Sequence, residues 1–181
     1  IDVSSFNVIE ENVIFTSGRN SPGIGFNINS HNNTFSRMWV TTMHVSSNAT
    51  SILNGVHNFT IMDSILNASR AVAVDFFVYS SVESGEWNFT NVTGSSAQGI
   101  DVSWQSGANG TLNVHWYVDA YANYTNSSNA TNSNIQAFDK DSLLHFSSFT
   151  GQDGRIPRQI LLEYKQTNVT GGGTITTYYS N

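Results

Sequence analysis

The stretch IDVSSF at residues 1–6 returns as IDVSWQ at 100–105, and relatives of it lie between. A short apolar alternation opening with Gly or Ala stands at 23–28 (GIGFNI), 71–78 (AVAVDFFV) and 99–104 (GIDVSW), and its period of two predicts strands. A second strand type follows each after a polar turn: ENVIFTS at 11–17, NNTFSRMWV at 32–40, HNFTIMDSIL at 57–66, EWNFTNVT at 86–93 and NGTLNVHWYV at 109–118. With Asn12, Asn33, Asn58, Asn88 and Asn109 as landmarks the intervals are 21, 25, 30 and 21 residues, an irregular but persistent repeat.

Repeats of this length, built of short strands and Asn- or Gly-containing turns without helical periodicity, predict an all-β chain whose first part is a short right-handed parallel β-helix. One coil cannot bury the inward residues of its own strands, whereas stacked coils enclose Ile24, Val72, Ile100 and their neighbours in one apolar column. Each enclosed Ile or Val then contributes roughly 1.5 to 3 kcal/mol. Asn suits the turns because it tolerates the left-handed conformation and its amide bonds nearby backbone, so stacked turns could form an Asn ladder. An antiparallel β-sandwich throughout is the alternative, since turn signals recur every 8 to 12 residues or so.

The unit SPGIGFNINSHNNTFSRMWV at 21–40 resembles those of archaeal, methanogen-like cell-surface proteins that chain units such as GIxVxxxxNNTF into parallel β-helices, and the likeness covers about residues 1–118. After Trp116-Tyr117-Val118 the repeat stops, and the polar stretch YANYTNSSNATNSN at 121–134 reads as a loop. NIQAFDKD, SLLHFSSFT, GQDGRIPRQILLEYKQT and GGGTITTYYS then read as three or four strands, with Leu161–Tyr164 the clearest. This part is similar to the small Ig-like or carboxypeptidase-regulatory-like β-sandwiches that follow β-helical repeats in such proteins, although it lacks their Pro-Val-x-Gly-Ala segment. The expected domains are therefore β-helix repeats over 1–118 and a small sandwich over 119–181 carrying a glycosylated loop at 121–134. At about 63 residues the sandwich is marginal alone and should dock on the last coil or on a neighbouring molecule.

Only 11% of residues are charged and the net charge is −6, so solubility rests on neutral polar groups. Seven Lys and Arg forming no basic stripe argue against a nucleic-acid partner. The absence of cysteine excludes disulfides, thiolate metal sites and cysteine nucleophiles. No apolar run approaches the roughly 20 residues of a membrane span, and an opening at Ile1 reads as a processed or excerpted chain. The N-glycosylation triplet occurs at Asn32, Asn48, Asn58, Asn67, Asn88, Asn91, Asn109, Asn123, Asn126, Asn129 and Asn168. With 22 Asn, chance gives about half of these eleven, so the excess points to an extracellular glycoprotein, although an Asn- and Thr-rich composition also inflates the count.

Candidate chemistry is sparse. A polysaccharide-cleaving β-helix needs stacked carboxylates for calcium and proton abstraction. Laying AVAVDF over GIDVSW puts Asp101 opposite Ala73 and Asp75 opposite Ser103, which predicts that they share no column and, with Asp2, are solvated surface acids. His31, His44 and His57 lie thirteen residues apart, half a coil, which sends alternate ones to different faces and reads as turn or surface histidines rather than a metal site. Asp139 and Asp141 lack the loop glycine and distal carboxylate of a calcium loop and read as a turn. Trp39, Trp87, Trp104 and Trp116 could stack on sugars, but one Trp per coil is better explained by packing or protomer contacts. Catalytic residues, metal ligands and cofactors are accordingly assigned as none.

A β-helix beginning at IDVSSF leaves an open edge, and TITTYYSN, tethered by Gly171-Gly172-Gly173, could close its own sandwich or add to the edge of a neighbouring subunit. The expected function is a structural subunit of an extracellular filament, sheath or surface layer, joined head to tail with itself and carrying N-linked glycans. The alternatives are a carbohydrate-binding or polysaccharide-cleaving β-helix protein, or a viral or adhesin fibre fragment.

Overall fold

The computed structural model describes residues 7–17, 22–26, 31–52, 58–69, 73–79, 85–97 and 99–179. Fifteen strands are described and no helix: β1 (Val8–Glu10), β2 (Val13–Thr16), β3 (Ile24–Phe26), β4 (Asn33–Ser36), β5 (Trp39–Thr42), β6 (Thr50–Ile52), β7 (Phe59–Ala68), β8 (Phe76–Val78), β9 (Glu86–Thr93), β10 (Val102–Trp104), β11 (Gly110–Val118), β12 (Asn134–Phe138), β13 (Leu144–Phe149), β14 (Gln159–Val169) and β15 (Gly173–Tyr178).

The first eleven strands form a parallel β-helix of about three turns. Its long sheet runs β1-β4-β7-β9-β11 with β2 and β5 alongside, and every neighbouring pair in it is parallel. The short sheet, β10-β8-β6-β3, is parallel too. Register sets the true repeat. On the short sheet Ile24, Thr50, Phe76 and Val102 stand in one row, each 26 residues beyond the last. On the long sheet Val8, Thr34, Thr60, Asn88 and Asn113 are successive partners, at intervals of 26, 26, 28 and 25.

Strand alternation sends every second residue inward. Ile9, Phe35, Ile61, Phe89 and Val114 make one inward row, and Asn33, Phe59, Trp87 and Leu112 the next. The centre is aromatic: Phe76 lies 5.1 Å from Phe89 and 5.5 Å from Trp87 in edge-on geometry, and 6.2 Å from Phe59. Such pairs add about 0.5 to 1.5 kcal/mol beyond their buried area. The chain passes so near Trp87 that a Cβ on Gly110 would lie 2.5 Å from its ring, which explains the glycine there.

Sharp corners interrupt the long sheet at one residue per coil. Glu11, Arg37, Asp63 and Asn91 have φ of 56°, 53°, 50° and 54°, the left-handed region. They stack, with Glu11 N–H donating to the Ser36 carbonyl and Arg37 N–H to that of Met62. The left-handed turns expected of Asn are thus realised at Asn91 and Asn32, but charged residues occupy the rest of this column.

The landmark asparagines do not share one row. Asn33 pairs with Phe59, not with Asn58, and Asn88 pairs with Thr60. Amide stacking takes other partners: Asn7 Nδ2 donates to Asn33 Oδ1 at 3.2 Å, and Asn113 Nδ2 to Asn88 Oδ1 at 3.0 Å.

Beyond the helix the sheet continues across the boundary expected at 118. β11 pairs parallel with β9 on one side and antiparallel with β14 on the other, and β15 adds antiparallel to β14. This hairpin therefore extends the helical sheet, while β12 and β13 form a two-stranded sheet of their own. β11 ends the parallel stack, and β14 covers its open edge through an antiparallel ladder. The stretch 121–134 is held by the bridges Tyr121–Arg155 and Asn123–Asn129, and Tyr121 O–H donates to Asn129 Oδ1 at 2.8 Å.

Truncating Phe76 to Ala should lower unfolding free energy in a urea titration by about 3 to 5 kcal/mol. The same change at exposed Phe149 should cost no more than about 0.5 kcal/mol. Equal losses would show that Phe76 is not enclosed between the sheets.

Candidate functional site

Asp75 and Asp101 lie one coil apart in the same row, because Phe76 pairs with Val102. This corrects the alignment that separated them, which was two residues out of register. The reading of Asp75 as a solvated acid is also overturned: its exposure is 0%. Its carboxylate accepts three backbone N–H groups, from Ala68 to Oδ1 at 3.2 Å and from Ser95 and Asp101 to Oδ2 at 2.8 and 3.0 Å. Burial pushes its pKa up, and the hydrogen bonds from Asp101, Ser95 and Ala68 oppose that shift. With three of its about four lone-pair positions taken and no exposure to solvent, the carboxylate is not presented to calcium or a substrate. Asp101 is exposed and lines a polar groove of about 360 Å³ with Asn67, Ser69, Ser95 and Ser96. Asp2 lies outside the described residues.

His31 and His44 fall between strands, and His44 Nδ1 sits 3.0 Å from Ser46 Oγ within a turn. His57 lies outside the described residues. Asp139 makes the turn between β12 and β13: its Oδ1 accepts N–H from Leu143 at 2.9 Å and Asp141 at 2.8 Å, and His145 Nε2 lies 3.4 Å from its Oδ2. Those contacts, led by the Leu143 N–H, hold its pKa below the ordinary aspartate value. Among the described residues no three His, Asp or Glu side chains are grouped to hold a metal ion.

The tryptophans divide. Trp87 is fully buried and stacks at 5.8 Å on Trp104, whose Nε1 donates to Gln166 Oε1 at 2.7 Å. Trp116 Nε1 donates to Glu163 Oε2. Trp39 is half exposed on the outer face, in one row with Val13 and Ile65.

The sequons divide as well. Asn32, Asn58, Asn123, Asn126 and Asn129 are exposed, and Asn48, Asn67, Asn88, Asn91 and Asn109 are half-buried. Asn168 is buried, and its Nδ2, the atom a glycan would take, donates to the Ala108 carbonyl at 2.6 Å. Nδ2 is likewise engaged at Asn91, by Asp63 at 2.8 Å, and at Asn129, by the Gln152 carbonyl at 3.0 Å. The local signal for the Asn168 role was its place on an alternating strand, where residues 164, 166 and 168 share a face with the core.

Among the described residues the unpaired edges of the long sheet lie at its two borders. Among the described residues β1 and β2 each pair on one side only, and β15 is the last strand at the far border. Apolar side chains stand open at both: Val8, Val13 and Phe15 at 68, 64 and 64%, and Ile175 and Tyr178 at 59 and 66%.

No known protein family, no curated protein and no solved structure matches the chain.

Because the Asp75 pKa is raised on folding, the native state binds more protons than the unfolded chain between the ordinary aspartate value and the raised one. Its contribution to stability is therefore full below the ordinary value and is lost as pH rises through the raised value. Unfolding titrations across acid pH should show this fall in the native chain and lack it in Asp75→Asn. Parallel curves would show that Asp75 titrates alike in both states.

Proposed function

We propose that the chain is a structural subunit of an extracellular surface assembly, in which copies join end to end through the borders of the long sheet. The supporting observation is that, among the described residues, both borders offer strand edges without a partner, flanked by exposed apolar side chains, at opposite ends of one stack. An interface of this kind is heterologous, so identical subunits extend into a filament, tube or sheet unless rotation closes a ring. Dense cross-strand hydrogen bonding gives such an assembly mechanical resistance. N-linked glycans on exposed sequons such as Asn32, Asn58, Asn123 and Asn126 would hydrate a surface with few charges. The likeness of the 21–40 unit to archaeal surface repeats points the same way. The polysaccharide-cleaving alternative is disfavoured by Asp75, whose carboxylate is spent on backbone donors.

The edge of β15 supplies a specific test. Tyr179 N–H donates to the Glu163 carbonyl at 2.8 Å, so by strand alternation the N–H of Thr176 points to the open border. Thr176→Pro removes that donor and leaves the ladder to β14 in place. Sedimentation velocity of the native chain should show concentration-dependent oligomers, and Thr176→Pro should shift them to monomer. A native chain that stays monomeric at high concentration contradicts the reading.

A further inference from the structure

Where the β-helix meets its antiparallel hairpin, Asn113 stands on the outer face between Glu86 of β9, which its amide contacts, and Lys165 of β14, its cross-strand partner. Asn113 on β11 is partnered on one side by Asn88 of β9 and on the other by Lys165 of β14. Thr111 N–H donates to the Gly85 carbonyl at 2.8 Å, so Thr111 and Asn113 of β11 direct their N–H groups at β9. On β14, Glu163 and Lys165 turn theirs to β15, as the Tyr179 bond to Glu163 shows. Asn113 and Lys165 are therefore a non-hydrogen-bonded antiparallel pair, the closer kind, with Cα atoms about 4.5 Å apart. Their Cβ atoms then lie about 4.5 to 5.5 Å apart on one face, within reach of a lysine stem.

The amide itself is held. Asn113 is only 7% exposed, and its Nδ2 gives hydrogen bonds to Glu86 Oε1 at 2.8 Å and Asn88 Oδ1 at 3.0 Å. The Asn113 nitrogen thus lies in direct contact with a carboxylate. Among the described residues Lys165 forms no ion pair, and the carboxylate beside it on β14, Glu163, accepts from Trp116.

We propose that Lys165 and Asn113 join in an intramolecular isopeptide bond, formed without a co-reactant and promoted by Glu86. Lys165 reacts as the free amine: Nζ bonds to Cγ of Asn113, and the Cγ–Nδ2 bond breaks. Glu86 takes the proton that leaves Nζ and passes one to Nδ2, which departs as ammonia, so the carboxylate ends as it began. The products are a secondary amide and one ammonia, with nothing oxidised or reduced. Holding the reacting groups in place makes the step effectively unimolecular. The bond would clamp β14 to the last coil, so that tension along the sheet meets a covalent link instead of the ladder alone. The inference does not depend on polymerisation.

The test is the intact denatured mass of the full chain produced without glycosylation, followed by peptide sequencing of a digest. The expected mass falls short of the sequence mass by one ammonia, with a branched peptide joining Asn113 to Lys165. Lys165→Arg and Glu86→Gln should each show their own full mass. Full mass in both fresh and aged native chain overturns the proposal. So does ammonia loss that maps to a cyclic imide at Asn109-Gly110 while the peptides holding 113 and 165 remain linear. A Glu86→Gln chain that still forms the branched peptide overturns the role given to the carboxylate.

Discussion

An inward side chain in one coil of this protein is dry only because another coil lies above or below it. The sheets are thin and all four short-sheet strands have three residues, so no coil encloses a core alone. Stacking Phe59, Phe76, Trp87 and Phe89 across successive coils supplies the enclosure, and the near-constant step of 26 residues keeps the same positions inward each time. A one-residue slip would reverse every strand's faces, so register and burial specify each other. The corner column of Glu11, Arg37, Asp63 and Asn91 serves that register, since each corner resets the strand at the same point of the coil.

A stack of this kind has no intrinsic end, and what closes it decides how the molecule meets its surroundings. At one end β14 and β15 turn the parallel sheet antiparallel, and polar groups take over from apolar ones: Gln166 bonds Trp104, and Asn168 bonds Ala108. Tyr117 and Arg158 tie this region back to the corners, with Tyr117 O–H at 3.2 Å from Asp63 and the Arg158 guanidinium 4.7 Å above the Tyr117 ring. The hairpin satisfies β11 but moves the open edge outward to β15. That displaced edge, together with β1 and β2, is the physical basis for reading the chain as a component of an assembly.

Much of the helix was legible because period-two alternation is a direct consequence of strand geometry. The segments around β2, β4, β5, β7, β9 and β11 follow from it. The β6 strand, Thr50–Ile52, escaped because polar Thr50 stands where β3 and β8 carry Ile24 and Phe76, which breaks the apolar alternation, and its absence from the count hid the 26-residue step on the short sheet. Missing that step misaligned Asp75 and Asp101. The burial of Asp75 was invisible for another reason: its three donors come from residues 7, 20 and 26 positions away, a long-range arrangement no local pattern records. The same holds for the Ala108 partner of Asn168, 60 residues away, and for Asn113, whose neighbours are set by pairings on both sides of β11.

The stacking itself can be tested through covalent proximity, since the chain has no cysteine to interfere. Thr34 and Thr60 are directly paired across parallel strands on the outer face, a separation compatible with a disulfide. A chain carrying Thr34→Cys and Thr60→Cys should form an intramolecular disulfide under mild oxidation in its folded state. Moving the second cysteine to position 61 should abolish it, because that side chain faces the core. Failure of the first pair to close, or equal closure of the second, would contradict the parallel stack.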